Sequence, residues 1–131
     1  MAINERGTVV GFSNPPGDQG GTLFIPHAFL WTKQGGTRDL GTLQGDQTSQ
    51  ANGINARGQV VGVSSGAGGN RAFLWRDGVM IDLNTLAGPG FADRLVSATD
   101  INDAGQITGR LLEAGTGKTM PFVATPVATD P

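Results

Sequence analysis

A threefold internal repeat constrains the fold of this 131-residue chain more than any other feature. The pattern Ile-Asn-x-x-Gly, followed by a short β-branched run, occupies residues 3–13 and returns at 54–64 and 101–109. A period of about 50 residues is typical of supersecondary units that cannot bury their apolar faces alone. Such units stack on their neighbours. The chain is therefore predicted to be a series of stacked repeats.

Two further elements recur within the repeats. An Ala-Phe-Leu-Trp run at 28–31 returns at 72–75 and, in degraded form, at 120–124. A segment with the pattern Asp-Leu-x-Thr-Leu at 39–43 returns at 82–86. Short runs that are apolar on both alternating faces are typical of strands buried on both sides. We therefore expect each repeat to be a β-sheet that packs against its neighbours.

The Ile-Asn-x-x-Gly element has the chemistry of a tight turn. The side chains of Asn4, Asn55 and Asn102 can accept hydrogen bonds from the backbone two residues on. The glycine three residues after each can adopt a positive φ, which favours a turn closed by a β-bulge. Asp77-Gly78 is a further hairpin signal in the middle repeat. These turns predict antiparallel strands.

We predict an all-β fold of propeller-like repeats, each a blade of four antiparallel strands. A single domain is expected over residues 1–125, with repeats at about 1–45, 46–92 and 93–125 and a Pro-rich tail at 126–131 in place of the last strand. The predicted strands are Ser49–Asn55, Gln59–Ser64, Asn70–Arg76 and Val79–Leu86 in the middle repeat, and Arg94–Asn102, Gln106–Leu112 and Thr119–Thr125 in the third. The predicted surface loops are 14–22, 66–69 and 113–117.

The sequence does not decide how the stack of repeats closes. A propeller needs at least about four blades, and this chain supplies two complete blades and one that lacks a strand. An open arc exposes the apolar faces of its end blades and an unpaired strand edge. Two chains could form a six-bladed ring, the chain could belong to a longer array, or it could form a compact three-unit barrel or β-prism. We expect a homo-oligomer, with a dimer favoured, or part of a longer array.

Composition excludes several classes of function. The chain has 11 acidic and 9 basic residues, a net charge of −2 and no cluster of Lys or Arg, so nucleic acid is not an expected partner. The absence of cysteine removes disulfides and thiolate chemistry. No apolar run approaches the ~18 residues that cross a bilayer, and no signal peptide is visible at the N-terminus. Membrane insertion is therefore not expected.

Three segments match the letters of functional motifs without their structural context. Residues 62–66 read Gly-x-Ser-x-Gly, but the glycine-rich 66–70 cannot begin the helix that a nucleophile elbow requires. Residues 115–119 end like a phosphate-binding loop, but Leu112 stands where the first glycine belongs. Residues 100–105 resemble the start of a calcium loop that lacks its later ligands. We predict strand ends and turns at all three, and no enzyme activity, cofactor or metal.

Isolated polar residues recur at matched repeat positions. His27 is the only histidine, so one chain cannot form a zinc triad or a His-based dyad. We expect it to be a polar residue at the end of a buried strand. Asp39 and Asp82 lie in separate repeats and are predicted to be turn or ladder partners rather than a catalytic carboxylate pair.

Two equivalent tryptophans give the only aromatic signal for a ligand. Core packing is the favoured interpretation of Trp31 and Trp75, because their neighbours in the strands are apolar. The alternative is a lectin-like module in which one of them stacks on a sugar ring in a shallow site between blades. Asp46, Gln47 and Arg94 are then the polar ligand-binding candidates.

These motifs as a set resemble the HAF repeat family, bacterial proteins named for a His-Ala-Phe motif and described as probable extracellular repeat proteins. The resemblance rests on residues 27–31, 39–43 and 54–62 and extends to about Thr125, with Arg71 in place of the His in the second copy. It implies an extracellular or cell-surface β-repeat architecture and no reaction. We therefore expect a non-enzymatic interaction or structural scaffold, with carbohydrate binding as the alternative.

Overall fold

The computed structural model describes residues 1–13, 26–86 and 93–126, and this part of the chain is all-β. Its strands are β1 (Ala2–Ile3), β2 (Val9–Ser13), β3 (His27–Thr32), β4 (Gly36–Gly41), β5 (Asp46–Ile54), β6 (Val60–Gly66), β7 (Gly69–Arg76), β8 (Val79–Asp82), β9 (Arg94–Ile101), β10 (Ile107–Leu112) and β11 (Thr119–Ala124). They form three antiparallel sheets, one for each repeat. Sheet 1 has the order β1-β2-β3-β4, sheet 2 the order β5-β6-β7-β8, and sheet 3 the order β11-β10-β9.

Sheet 2 confirms the predicted four-stranded antiparallel unit, but its last strand is shorter than expected. The strand ends at Asp82 rather than at Leu86. The Asp82 carboxylate accepts a hydrogen bond from the backbone NH of Asn84 at 2.9 Å, and a single 3₁₀ turn follows at Leu83–Thr85. An aspartate that caps the next turn competes with continued strand pairing.

A tight turn joins β7 and β8 in sheet 2. Asp77 and Gly78 have φ values of 52° and 85°, which suit the primed turns that match strand twist. The predicted hairpin between β7 and β8 is therefore confirmed. The surface loop predicted at 66–69 is an exposed turn of two residues, Ala67 and Gly68, because Gly66 and Gly69 pair with each other and extend β6 and β7.

The asparagine turn that opens each repeat is also confirmed. Asn55 Oδ1 accepts hydrogen bonds from the backbone NH groups of Arg57 at 3.1 Å and Gln59 at 3.0 Å. Asn4 and Asn102 accept equivalent bonds in their own turns. The glycine three residues after each asparagine has φ between 80° and 85°. This left-handed conformation favours glycine over any other residue.

The sheets stack face to face, with sheet 2 in the middle. The first strand of each sheet contacts the sheet before it: β5 packs on β1–β3, and β9 packs on β5–β7. The buried core between sheets 1 and 2 consists of Val10, Ala28, Leu40, Leu43, Ala51, Ile54, Val60, Phe73 and Trp75. The buried core between sheets 2 and 3 consists of Val61, Ala72, Leu74, Leu83, Leu95, Ala98, Ile101 and Ile107.

The two tryptophans, both expected in the core, differ in burial. Trp75 is 7% exposed and packs between sheets 1 and 2, whereas Trp31 is 40% exposed. Alternate side chains of a strand point to opposite faces. Trp31 therefore lies with Phe29 on the face of sheet 1 that points away from sheet 2. Because no described sheet covers that face, core packing is correct for Trp75 and wrong for Trp31.

The described sheets form an open stack rather than a closed propeller. Sheet 3 has three strands in the described residues, against four in sheets 1 and 2. Most of the predicted tail, 127–131, and the predicted loop at 14–22 lie outside the described residues.

Candidate functional site

A ladder of asparagine side chains links each sheet to the next. Asn4 Nδ2, at the β1–β2 turn, donates to the carbonyl oxygen of Asn55 at 3.0 Å. Asn55 Nδ2 donates in turn to the carbonyl oxygen of Asn102 at 3.1 Å. The Nδ2 of Asn102 donates to Gln106 Oε1, within its own turn, at 2.9 Å. One residue type at one repeat position thus shapes the turn and sets the register between sheets.

We expect Asn55→Ala to lower the free energy of unfolding by about 1–3 kcal/mol, because backbone donors that are poorly reached by water lose their acceptor. Asn55 is 3% exposed and also makes the bond to sheet 3. Asn102→Ala is the matched control, since its side chain is exposed and holds only its own turn. Urea unfolding measures both variants. Equal losses in the free energy of unfolding of the two variants would mean that the hydrogen bond between sheets 2 and 3 contributes nothing to stability.

His27 and Arg71 occupy equivalent repeat positions and make equivalent contacts. His27 Nδ1 lies 3.1 Å from the Asp39 carboxylate, and its Nε2 lies 3.2 Å from the carbonyl oxygen of Gln47. Arg71 Nη1 lies 3.3 Å from Asp82 Oδ2. Asp39 and Asp82 are therefore repeated structural partners, as predicted. Each joins the start of its third strand to the end of its fourth.

Ser64, the serine of the Gly-x-Ser-x-Gly segment, is a buried cross-link. Its hydroxyl donates to Asp46 Oδ2 at 2.6 Å and accepts from the backbone NH of Leu43 at 3.0 Å. Arg71 Nη2 lies 3.1 Å from the same carboxylate oxygen. This network ties the connection between sheets 1 and 2 to β6 and β7. The predicted strand-end serine lies two residues before the end of β6.

The other two motif segments are turns in the structure. Asn102 and Gly105 shape the β9–β10 turn, and the backbone NH of Glu113 donates to the carbonyl of Lys118 at 2.8 Å in the β10–β11 turn. Residues 1–13, 26–86 and 93–126 contain no group of three or more His, Cys, Asp or Glu side chains placed to hold a metal ion.

Among the described residues, no helix has the length and apolar character needed to cross a membrane.

A cleft of about 590 Å³ opens between sheets 1 and 2. Arg38 from β4, Arg57 from the β5–β6 turn and Arg76 from the end of β7 contribute to its lining. The Arg57 guanidinium reaches away toward sheet 3, since a Cβ atom on Gly105 would lie 3.4 Å from its Nη2. The indole of Trp75 forms part of the wall, and the guanidinium carbon of Arg38 lies 5.3 Å from the centroid of that ring. Polar lining also comes from Thr8, Thr32, Gln59 and Asp77. We call this feature the arginine cleft.

The residues proposed from the sequence for sugar binding are spread over different parts of the fold. Trp75 lines the arginine cleft, whereas Trp31 lies on the outer face of sheet 1. Asp46 and Gln47 are neighbours in β5, and the Asp46 carboxylate is engaged in the network around the buried serine. Arg94 donates to a backbone carbonyl in the β6–β7 turn at 2.9 Å. Of these sequence candidates, only Trp75 lines the arginine cleft.

The contact between Arg38 and Trp75 has no counterpart in the local sequence pattern. Arg38 comes from β4 of sheet 1 and Trp75 from β7 of sheet 2, and only the stacking of the two sheets brings them together. The sequence contains no run of basic residues that would indicate a site rich in arginine.

Apolar side chains also cover the outer face of sheet 1. Strand pairing places Ile3 opposite Val9, and Val9 opposite Trp31. Phe29 lies on the same face, where its ring approaches Gly11. We call this surface the sheet 1 end face. Ile3 is 67% exposed on it and Trp31 is 40% exposed.

The outer face of sheet 3 is more mixed in character. Pairing places Thr108 opposite Val123 and Arg110 opposite Pro121. All four are exposed, and Val123 is 67% exposed. We call this surface the sheet 3 end face.

These features define a class: a repeat protein of stacked antiparallel β-sheets, joined by two apolar cores and an asparagine ladder. No family model, curated protein or solved structure matches the chain. Its function is therefore inferred from its own residues.

Proposed function

We propose that this chain is a non-enzymatic, propeller-like β-repeat module that serves as an interaction or structural scaffold and grows by packing further repeats on its end faces. The observation that carries this proposal is that each end face matches, position by position, a face that is already buried inside the stack. The sheet 1 end face is also apolar and exposed, and a surface of that kind marks an interaction site.

The sheet 1 end face corresponds to a buried face of sheet 2. Phe29 and Trp31 occupy the repeat positions of Phe73 and Trp75. In sheet 2 these two rings are buried in the core against sheet 1. A further sheet packed on sheet 1 would bury Phe29 and Trp31 in the same way.

The sheet 3 end face corresponds to the other buried face of sheet 2. Thr108 and Val123 occupy the repeat positions of Val61 and Leu74, which are buried against sheet 3. Arg110 makes this end face more polar than its internal counterpart. A mixed surface of this kind suits a contact that forms between separate chains, since such interfaces are less apolar than a domain core.

The asparagine ladder supports the same head-to-tail arrangement. Asn102 ends the ladder with an exposed side chain, and the carbonyl oxygen of Asn4, at its beginning, accepts a bond from Gly7 in its own turn. Carbonyl oxygens have two lone pairs. In a head-to-tail contact, Asn102 Nδ2 of one chain would donate to the carbonyl of Asn4 in the next.

Two chains joined through both pairs of end faces would close a six-sheet ring with twofold symmetry. A longer array uses the same contact without closure. The resemblance to the HAF repeat family supports an extracellular or cell-surface place for such a scaffold.

Light scattering over a dilution series tests this proposal. We expect a mass near twice 13.5 kDa, and we expect Trp31→Glu to reduce it to that of one chain, because a charge buried without a partner is strongly disfavoured. Val79→Glu is the matched control. Val79 is 56% exposed but lies on β8 of sheet 2, away from both end faces.

A chain that is monomeric at every concentration would contradict association through the end faces. A dimer that survives Trp31→Glu but is lost in Val79→Glu would locate the interface elsewhere. Circular dichroism on each variant separates dissociation from unfolding.

A further inference from the structure

The first strand of a repeat contacts the sheet before it through one short motif. The motif is Ala-x-x-Ile-Asn, which occupies residues 51–55 in β5 and its turn and 98–102 in β9 and its turn. Ala51 and Ile54 are buried in the core between sheets 1 and 2. Ala98 and Ile101 are buried in the same way between sheets 2 and 3. Both alanines are fully buried, so the contact leaves no space for a larger side chain at that position.

Sheet 2 also binds the backbone of this motif through two side-chain amides. Asn52 Nδ2 donates to the carbonyl oxygen of Ala98 at 2.9 Å. Asn55 Nδ2 donates to the carbonyl oxygen of Asn102 at 3.1 Å. Each of these carbonyls belongs to the motif in sheet 3, one at its alanine and one at its asparagine. The two apolar side chains and the two carbonyls therefore fix where the strand lies on the sheet.

A groove of about 540 Å³ lies on the sheet 3 end face. Thr108 and Val123 line it, and both are exposed. Their counterparts in sheet 2, Val61 and Leu74, are buried in the core that holds the motif of sheet 3, and β9 packs on the two strands that carry them. The groove therefore corresponds in position to a surface that already binds Ala-x-x-Ile-Asn inside the chain.

The same face carries two hydrogen-bond donors that match those of sheet 2. Thr99 lines the groove at the repeat position of Asn52, and its exposed hydroxyl can donate to a carbonyl. Asn102 has the repeat position of Asn55. Asn55 Nδ2 donates both within its own turn and to the next sheet, whereas within the described residues Asn102 Nδ2 donates only within its own turn. Because an amide nitrogen carries two hydrogens, one of those on Asn102 is available to a partner.

We propose that the sheet 3 end face binds a β-hairpin of another protein chain, whose first strand carries Ala-x-x-Ile-Asn. The inference rests on the proposed function, because it names the partner of one of the two end faces. The Thr99 hydroxyl would donate to the alanine carbonyl of the motif, and the Asn102 amide to its asparagine carbonyl. Thr108 and Val123 would bury its alanine and isoleucine side chains.

A hairpin suits this surface better than a single strand. A lone strand packed on the face of a sheet leaves peptide groups without partners, and such groups are costly to bury. The second strand of a hairpin pairs with one edge of the first, as β6 does with β5. The asparagine of the motif also shapes the hairpin turn, since Asn55 Oδ1 accepts from the backbone NH groups of Arg57 and Gln59. One motif thus provides both the turn and the contact surface.

Fluorescence anisotropy with a labelled peptide of residues 46–66, the β5–β6 hairpin, tests the proposal. The host protein is Trp31→Glu, which opposes association through the sheet 1 end face and so keeps the sheet 3 end face accessible. We expect saturable binding. Val123→Glu and Thr108→Glu, each added to the host, should weaken binding about tenfold or more, because each would bury a charge without a partner. Val79→Glu, on β8 of sheet 2, should leave binding unchanged.

A peptide with Ala51→Trp is the matched ligand and should bind about tenfold more weakly, because the alanine position has no space for a large side chain. The proposal is overturned if the parent peptide does not bind, if the Ala51→Trp peptide binds equally well, or if neither Val123→Glu nor Thr108→Glu weakens binding. The last result would mean that the peptide exchanges with the β5–β6 hairpin of the protein itself. Displacement of the peptide by less parent chain than unlabelled peptide would make a second copy the partner, and would also overturn the proposal.

The outcome is separable from that of the proposed function. Association of the parent chain in light scattering, together with a peptide that does not bind the host, would contradict the hairpin site alone. A peptide that binds, together with a parent chain that is monomeric at every concentration, would contradict association through the end faces alone. Circular dichroism shows whether each variant folds, and two variants on the sheet 3 end face keep the test valid if one of them does not.

Discussion

Phe73→Ala is expected to destabilise the protein by about 3–5 kcal/mol, a large part of the total stability of a small domain. Phe73 is fully buried in the core between sheets 1 and 2. Truncation removes its apolar contacts and leaves a cavity that close-packed neighbours fill only in part. The midpoint and slope of urea unfolding measure the loss.

Phe29→Ala is the matched control for this prediction. Phe29 occupies the same repeat position as Phe73 but lies on the sheet 1 end face. At low protein concentration, Phe29→Ala should lower the free energy of unfolding by less than half as much as Phe73→Ala does. Where the end faces associate, the cost should increase with protein concentration, because dissociation then contributes to unfolding. Identical, concentration-independent losses in both variants would contradict the stacking of sheet 1 on this face of sheet 2.

Gly62→Ala has the second large expected effect. We expect it to lower the free energy of unfolding by about 3 kcal/mol or more. A Cβ atom on Gly62 would overlap the carbonyl oxygen of Gln50 and would lie 3.0 Å from the Cα atom of Ala51. Both are backbone atoms of β5, and the β5–β6 pairing already carries a bulge between Ala51 and Gly53. Only a shift of the strand could relieve the overlap. Thermal unfolding should show a lower midpoint.

Gly11→Ala is the control at the equivalent position of sheet 1. The two residues of β1 pair with Val9 and Val10, so no β1 residue pairs with Gly11 as β5 pairs with Gly62. A Cβ there would meet the ring of Phe29 at 3.2 Å and the Met1 side chain at 3.4 Å. Side chains can move, so the change should stay within about 1 kcal/mol. A Gly62→Ala variant as stable as Gly11→Ala would contradict the close approach of β5 to β6.

The turns could be predicted from the sequence because the hydrogen bonds that form them are local. The hydrogen bonds that the Oδ1 atoms of Asn4, Asn55 and Asn102 accept within their turns reach at most four residues along the chain, so the pattern itself contains both partners. The capping of the turn after Asp82 is equally local, but the pattern did not separate it from a continued strand. Both alternatives satisfy the same Asp-Leu-x-Thr-Leu segment.

The candidate site, unlike the turns, could not be predicted from local sequence patterns. The alternative ligand set proposed from the sequence included Trp75, which lines the arginine cleft, but none of its arginines. Arg38 of β4 meets Trp75 of β7 only because the two sheets stack. No spacing along the chain encodes that meeting.

The sequence by itself determined the repeat number, the antiparallel strands and the turns between them, since these depend on side chains and glycines within a few positions of each other. Tertiary structure alone decided which copy of each repeated residue is buried. Trp31 and Trp75 share the same local sequence but differ in exposure, 40% against 7%. Burial depends on the sheet that packs on each face, and that sheet comes from a distant part of the chain.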